Sequence, residues 1–160
     1  MRVLLAACLA TVLALAAPAL ASARTAGSAD NLWATVNVCD TAKHPNGVGI
    51  RASMPGVPRG AVRRMRFRVQ FRDGDRWRYV TGADSGWRTL KRSAGRAIES
   101  GWSFEFEAPS KPIRFRGVVR YRWLRDGRVV ARASEITEAG HPSTTGADPE
   151  RYSAASCSID

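Results

Sequence analysis

The chain has 160 residues, 25 Lys or Arg against 14 Asp or Glu, and a formal net charge of +11. That length suits one domain able to bury about two-thirds of its unfolded surface, with no need of a metal or many disulfides to hold it. The charge bears on solubility and on anionic partners and says nothing about fold. Of the basic residues 22 are Arg and only Lys43, Lys91 and Lys111 are Lys. GC-rich coding produces the same skew as selection for a guanidinium.

Met1-Arg2 and the uncharged apolar run Val3 to Ala17, broken by Pro18 and followed by Ala21-Ser22-Ala23, predict a signal peptide over 1–23. The run is shorter than the roughly 20 residues a membrane span needs, and no basic stop follows it. Leu5-Ala6-Ala7-Cys8 mimics a lipoprotein box but comes before the apolar run is complete. Cleavage after Ala23 removes Arg2 and Cys8, taking the formal charge from +11 to +10 and leaving Cys39 and Cys157. The expected product is secreted and extracellular, with no membrane insertion after cleavage, and in an oxidising compartment its two cysteines most simply pair.

Residues 24–30 read as a polar linker and 31–160 as one domain. Leu32, Ala34, Val36 and Val38 alternate with Trp33, Thr35, Asn37 and Cys39, which predicts a strand. Lys43 to Gly47 is a loop, Val48 to Ser53 a second strand, and Met54 to Gly60 a turn with two prolines. Met65, Phe67, Val69 and Phe71 share one face of a third strand and Arg64, Arg66, Arg68 and Arg72 the other. Asp73-Gly74 signals a hairpin returning through Trp77 and Tyr79, assigned to the apolar face. A turn at Thr81 to Gly86, a short strand at Trp87 to Leu90 and a loop over Lys91 to Ser100 follow.

Trp102, Phe104 and Phe106 alternate with Glu105 and Glu107 in a further strand. Ile113 to Arg125 is a long strand hairpinned at Asp126-Gly127 onto Arg128 to Thr137. A Gly-, Pro-, Ser- and Thr-rich loop spans Ala139 to Pro149, and Tyr152 to Ile159 closes the chain. The pattern of about eight short strands predicts an all-β sandwich or barrel with one disulfide, Cys39 to Cys157.

Tyr121 to Val130, YRWLRDGRVV, resembles the W-x-x-D-G-x-x-V hairpin of immunoglobulin-like and fibronectin-III-like domains. The chain as a whole is similar to small exported actinobacterial proteins of unassigned function with a two-cysteine frame. The resemblance implies an all-β, immunoglobulin-like antiparallel β-sandwich of about 7–9 strands, used as a binding or spacer module. It does not extend to the antibody-type disulfide or tyrosine corner, because Cys39 lies 84 residues before Trp123 and Tyr152 five before Cys157.

Catalytic patterns are weak. Asp84-Ser85-Gly86 resembles the nucleophile segment of chymotrypsin-like proteases, but the flanking glycines are missing and a turn is the simpler reading. His44 and His141, with Asp40 and Asp148, lack metal-ligand spacing and read as loop imidazoles. Glu105 and Glu107 have the spacing of paired acids, but arginine neighbours would keep both ionised. No enzyme activity and no cofactor are expected.

One constellation points to a ligand. Arg64, Arg66, Arg68 and Arg72 alternate on one strand, and Arg114, Arg116, Arg120 and Arg122 on another. If the strands are neighbours, eight guanidinium groups form one cationic surface suited to an anionic polymer. A merely solvated sheet face, partly neutralised by Glu105 and Glu107, is the plainer alternative. The expected function is a secreted, non-enzymatic binding or adhesion module for an anionic cell-wall or extracellular polymer or an extracellular protein. The alternative is a protein-binding inhibitor that uses the Ala139 to Pro149 loop.

Overall fold

The computed structural model describes residues 31–56, 61–90 and 95–160. The expected signal peptide (1–23) and linker (24–30) lie outside the described residues, as do 57–60 of the proline turn and 91–94 of the following loop. Among the described residues there are nine strands and no α-helix. They are β1 (Trp33–Thr41), β2 (His44–Met54), β3 (Val62–Asp73), β4 (Arg76–Asp84), β5 (Arg88–Thr89), β6 (Ile98–Glu105), β7 (Ile113–Arg125), β8 (Arg128–Ile136) and β9 (Cys157–Ile159). The order β1-β2-β6 makes one antiparallel sheet. β4-β3-β7-β8 makes the other, with β5 added to β3 and β9 to β7. The chain switches sheets after β2, after β5 and after β6, so the two layers are woven together into a sandwich.

The two hairpin signals work differently. Asp126 and Gly127 both have positive φ, 49° and 77°, the requirement of a type I′ turn between the paired residues Arg125 and Arg128. At the other hairpin Asp73 pairs with Arg76, so the loop is Gly74-Asp75 with Gly74 at φ 55°. The turn is therefore centred one residue beyond the Asp-Gly pair.

Period-two alternation in β3 and β7 fills the space between the layers. Met65, Phe67, Val69, Phe115, Val119 and Tyr121 are buried, and Phe104 enters from the facing sheet. Phe71, Trp102, Phe106 and Trp123 pack partly buried around them. The layers approach closely at Gly117 of β7, where a Cβ would stand 2.7 Å from Ile50 of β2 and 2.6 Å from Thr137. The Tyr121 hydroxyl donates to the Trp33 carbonyl at 2.8 Å across the layers.

The sequence parity of β1 fails at one residue. Val36 pairs with Ile50 but Val38 with Gly49, so Asn37 is an extra residue, a bulge. Beyond it the faces exchange: Val38 packs over Gly49, where a Cβ would come within 2.8 Å of Val38, while Cys39, paired with core Val48, turns inward. This half-turn brings Cys39 to Cys157, with Cα atoms 5.3 Å apart in a disulfide. The bond ties β1 of one sheet to β9 of the other, at their common margin and not through the centre of the core.

That margin is closed by the chain after β8. Glu138 N–H donates to Ala34 O at 2.9 Å, and Val36 and Ala154 exchange both backbone hydrogen bonds, at 2.9 and 3.0 Å. Three residues after Ala154 the chain joins β7 as β9. The expected closing strand Tyr152 to Ile159 is thus a short strand preceded by a bridge to the other sheet. The loop expected to protrude, Ala139 to Pro149, is bound along β1. Asn37 donates its side-chain amide to Gly146 O at 2.9 Å, Asp148 N–H donates to Asn37 O at 2.9 Å, and Thr41 Oγ1 donates to Asp148 Oδ2 at 2.5 Å. Thr35 and Asn37, which alternation alone would leave in solvent, are buried beneath this segment. Otherwise β1 would be an open sheet edge, a template for unwanted pairing.

Candidate anion-binding face

The eight arginines singled out by alternation share one surface. β3 and β7 are hydrogen-bonded neighbours, with Arg64 opposite Arg122, Arg66 opposite Arg120 and Gln70 opposite Arg116. Alternation continues the same face through Arg68 and Arg72 on β3 and Arg114 on β7, and Val118, opposite Arg68, is its apolar centre. β8 extends the surface with Arg132, paired to Arg122, and with Ser134 and Ile136.

Three aromatic rings lie among these arginines. Arg68 sits 3.6 Å from the Tyr79 ring centroid, Arg116 4.3 Å and Arg72 5.6 Å from Trp77, and Arg122 4.0 Å from Trp87. Trp77 and Tyr79 are therefore not on the core face to which the sequence pattern assigns them. β4 places Tyr79 opposite Gln70 and Trp77 opposite Arg72, on the outward side of the sheet. The ring faces attract guanidinium through their quadrupole and support the planar heads without neutralising them.

Acidic compensation is confined to one part of the surface. Asp84, opposite Arg68, accepts from Arg66 Nε at 2.8 Å and also from its Nη2, and lies 3.4 Å from Arg68 Nε. The hydrogen bonds from Arg66 hold the Asp84 carboxyl below the usual aspartate range, and the same pairing raises Arg66. Arg72 has Asp75 at 3.3 Å at the rim, and Arg116 donates to Gln70 Oε1 at 2.8 Å. Burial lowers the Arg116 pKa, and the like charge of Arg72 acts in the same direction. Among the described residues, Arg64, Arg114, Arg120, Arg122 and Arg132 have no ion-pair partner. The expected neutralisers are elsewhere, since Glu105 belongs to the other sheet and Glu107 follows it.

Arg63 plays a part that the sequence reading missed. It shares the parity of Met65 and Phe67, faces inward and is only 3% exposed. Its Nη1 donates to Arg96 O at 2.8 Å and to Pro55 O at 3.2 Å, closing one end of the sandwich, and burial lowers its pKa. The parity was the available signal.

The other candidate residues have structural work. Ser85 Oγ accepts from Phe67 N–H at 2.9 Å and donates to Gly86 O, a turn-stabilising role. His141 stacks on Trp33 with centroids 4.3 Å apart and lies 3.1 Å from Glu138, while His44 is exposed at the start of β2. Asp40 Oδ1 accepts from Asn46 N–H at 2.8 Å, and Asp148 is taken by Thr41. Among the described residues no cluster of His, Cys, Asp and Glu could hold a metal ion, and no helix is long and apolar enough to cross a membrane. No protein-family model, curated protein or solved structure matches the chain.

Proposed function

We propose that this is a secreted, non-enzymatic binding module whose β3–β7 face holds an anionic cell-wall or extracellular polymer. The observation that carries the reading is eight arginines on one continuous face with Asp84 as the carboxylate set among them. Surface arginines usually cost solvation and mobility when a ligand fixes them. Here Trp77, Tyr79 and Trp87 already lie against four of them, so less freedom remains to be lost on binding. The disulfide suits an oxidising compartment, in keeping with the signal-like start of the sequence. The inhibitor reading is less favoured because the loop it would present, Ala139 to Pro149, is fastened to β1.

The test is retention of the protein on heparin and on teichoic acid as salt is raised. Each neutralised anion releases a condensed counterion, so five or six contacts should lose on the order of a hundredfold in affinity between about 50 and 200 mM salt. Replacing Arg66, Arg68, Arg116 and Arg120 together by Gln should abolish retention while the circular dichroism spectrum is preserved. Unchanged retention of that folded variant would refute the assignment.

A further inference from the structure

Within this face, we infer that Arg64, Arg122 and Arg132 form a discrete site for one tetrahedral oxyanion, a phosphate or sulfate group. The location rests on the face described above; the chemistry follows from a different observation, the register of three strands. Arg132 of β8, Arg122 of β7 and Arg64 of β3 are directly opposite one another in a single row. Directly paired side chains have Cβ atoms about 4.5–5.5 Å apart, and like charges at such positions destabilise a sheet. The row has no carboxylate to offset the repulsion, because Asp84 is engaged by Arg66 and Arg68.

The Arg122 side chain is also held in an unusual direction. Its guanidinium lies over Trp87, which precedes β5, and β5 pairs with β3 on the edge remote from β7. To reach Trp87 from β7, Arg122 must cross β3 at the level of Arg64. The Arg64 Nε–H, on the strand between them, is buried with no hydrogen-bond partner. The Arg122 head and an unsatisfied Arg64 donor therefore lie on the same outward side of β3, and Arg132 follows in the row on β8. A carboxylate offers only two acceptor oxygens, in one plane. A phosphate or sulfate group offers further acceptor oxygens and more negative charge, which suits three forks from three strands.

The experiment is a titration of the disulfide-bonded protein with inorganic phosphate, sulfate or acetate at constant ionic strength, read from the arginine Nε–H resonances. Arg64 and Arg122 should shift saturably with phosphate or sulfate, at least about tenfold more tightly than with acetate. The tighter of the two anions identifies the ester the site prefers. Arg122→Gln should remove the saturable response. Arg132→Gln, on an exposed hairpin strand, should weaken it about tenfold, the size of one charge-assisted hydrogen bond. Arg51→Gln, on the opposite sheet, should leave it intact. Equal, non-saturating shifts with all three anions would overturn the site, even if polymer retention persisted. Saturable phosphate or sulfate binding without retention on any polymer would uphold the site and refute the wider face.

Discussion

In the three-stranded sheet, β1 is covered on its outward side by the chain itself; in the larger sheet, β3 and β7 are covered by their own side chains. Residues 138–154 lie over Thr35 and Asn37 and satisfy the edge of β1 through backbone hydrogen bonds. Over β3 and β7, arginine stems and the rings of Trp77, Tyr79 and Trp87 shelter the sheet, so that Val118 at its centre is only 6% exposed. The first covering consumes polar groups in fixed bonds. The second leaves cationic heads at the surface, available to something else. A sheet can be sealed by chain or by side chains, and only the second leaves a charged surface open to a ligand.

The sharpest way to break the chain-made cover is to cut its tether. Replacing Cys39 and Cys157 together by Ala releases a closure spanning 118 residues and should cost about 4 to 5 kcal/mol in the chain-entropy account, measured by urea unfolding. The intact protein, denatured without reductant, should show no free thiol at these positions. Asn37→Ala removes the amide that holds the 139–149 loop and leaves the exposed Gly146 carbonyl without its protein donor. A loss of about 0.5 to 1.5 kcal/mol is expected, together with faster hydrogen exchange at Asp148 N–H; normal protection there would mean that the backbone bonds alone hold the loop.

The side-chain cover should respond weakly and mainly to acid. The folded-state pKa of Asp84 is depressed, so its pairing with Arg66 favours the folded state above the ordinary aspartate value of 3.8. That contribution fades as pH falls below 3.8 toward the lowered value. Asp84→Asn should flatten this part of the dependence of Tm on pH and leave the rest of the acid limb unchanged. Arg120→Gln, at an exposed position, should move stability by no more than about 0.5 kcal/mol.

Period-two alternation made β3 and β7 legible, and with them both the core register and the arginine face. It failed where a residue's type and its environment diverge. Trp77 and Tyr79 read as apolar because their rings are, yet each ring face meets a guanidinium. Arg63 drew no reading because only its outward neighbours formed a pattern, although its parity with Met65 places it inside. The bulge at Asn37 leaves no trace in the hydrophobic pattern, so Cys39 looks outward in sequence and is inward in fact. The binding of Ala139 to Pro149 was equally hidden, since its bonds join side chains and backbone more than 100 residues apart and impose no local period.

The bridge from Ala154 to Val36 also sets an order of events. A chain that emerges N-terminus first delivers β1 before the residues that cover it. The strand must wait, one edge unpaired, until more than a hundred further residues have arrived. Contacts of that sequence separation form late and slow the search for the native state. During the delay β1 is open to pairing with a neighbouring chain, and the yield of folded protein should hinge on how long that wait lasts.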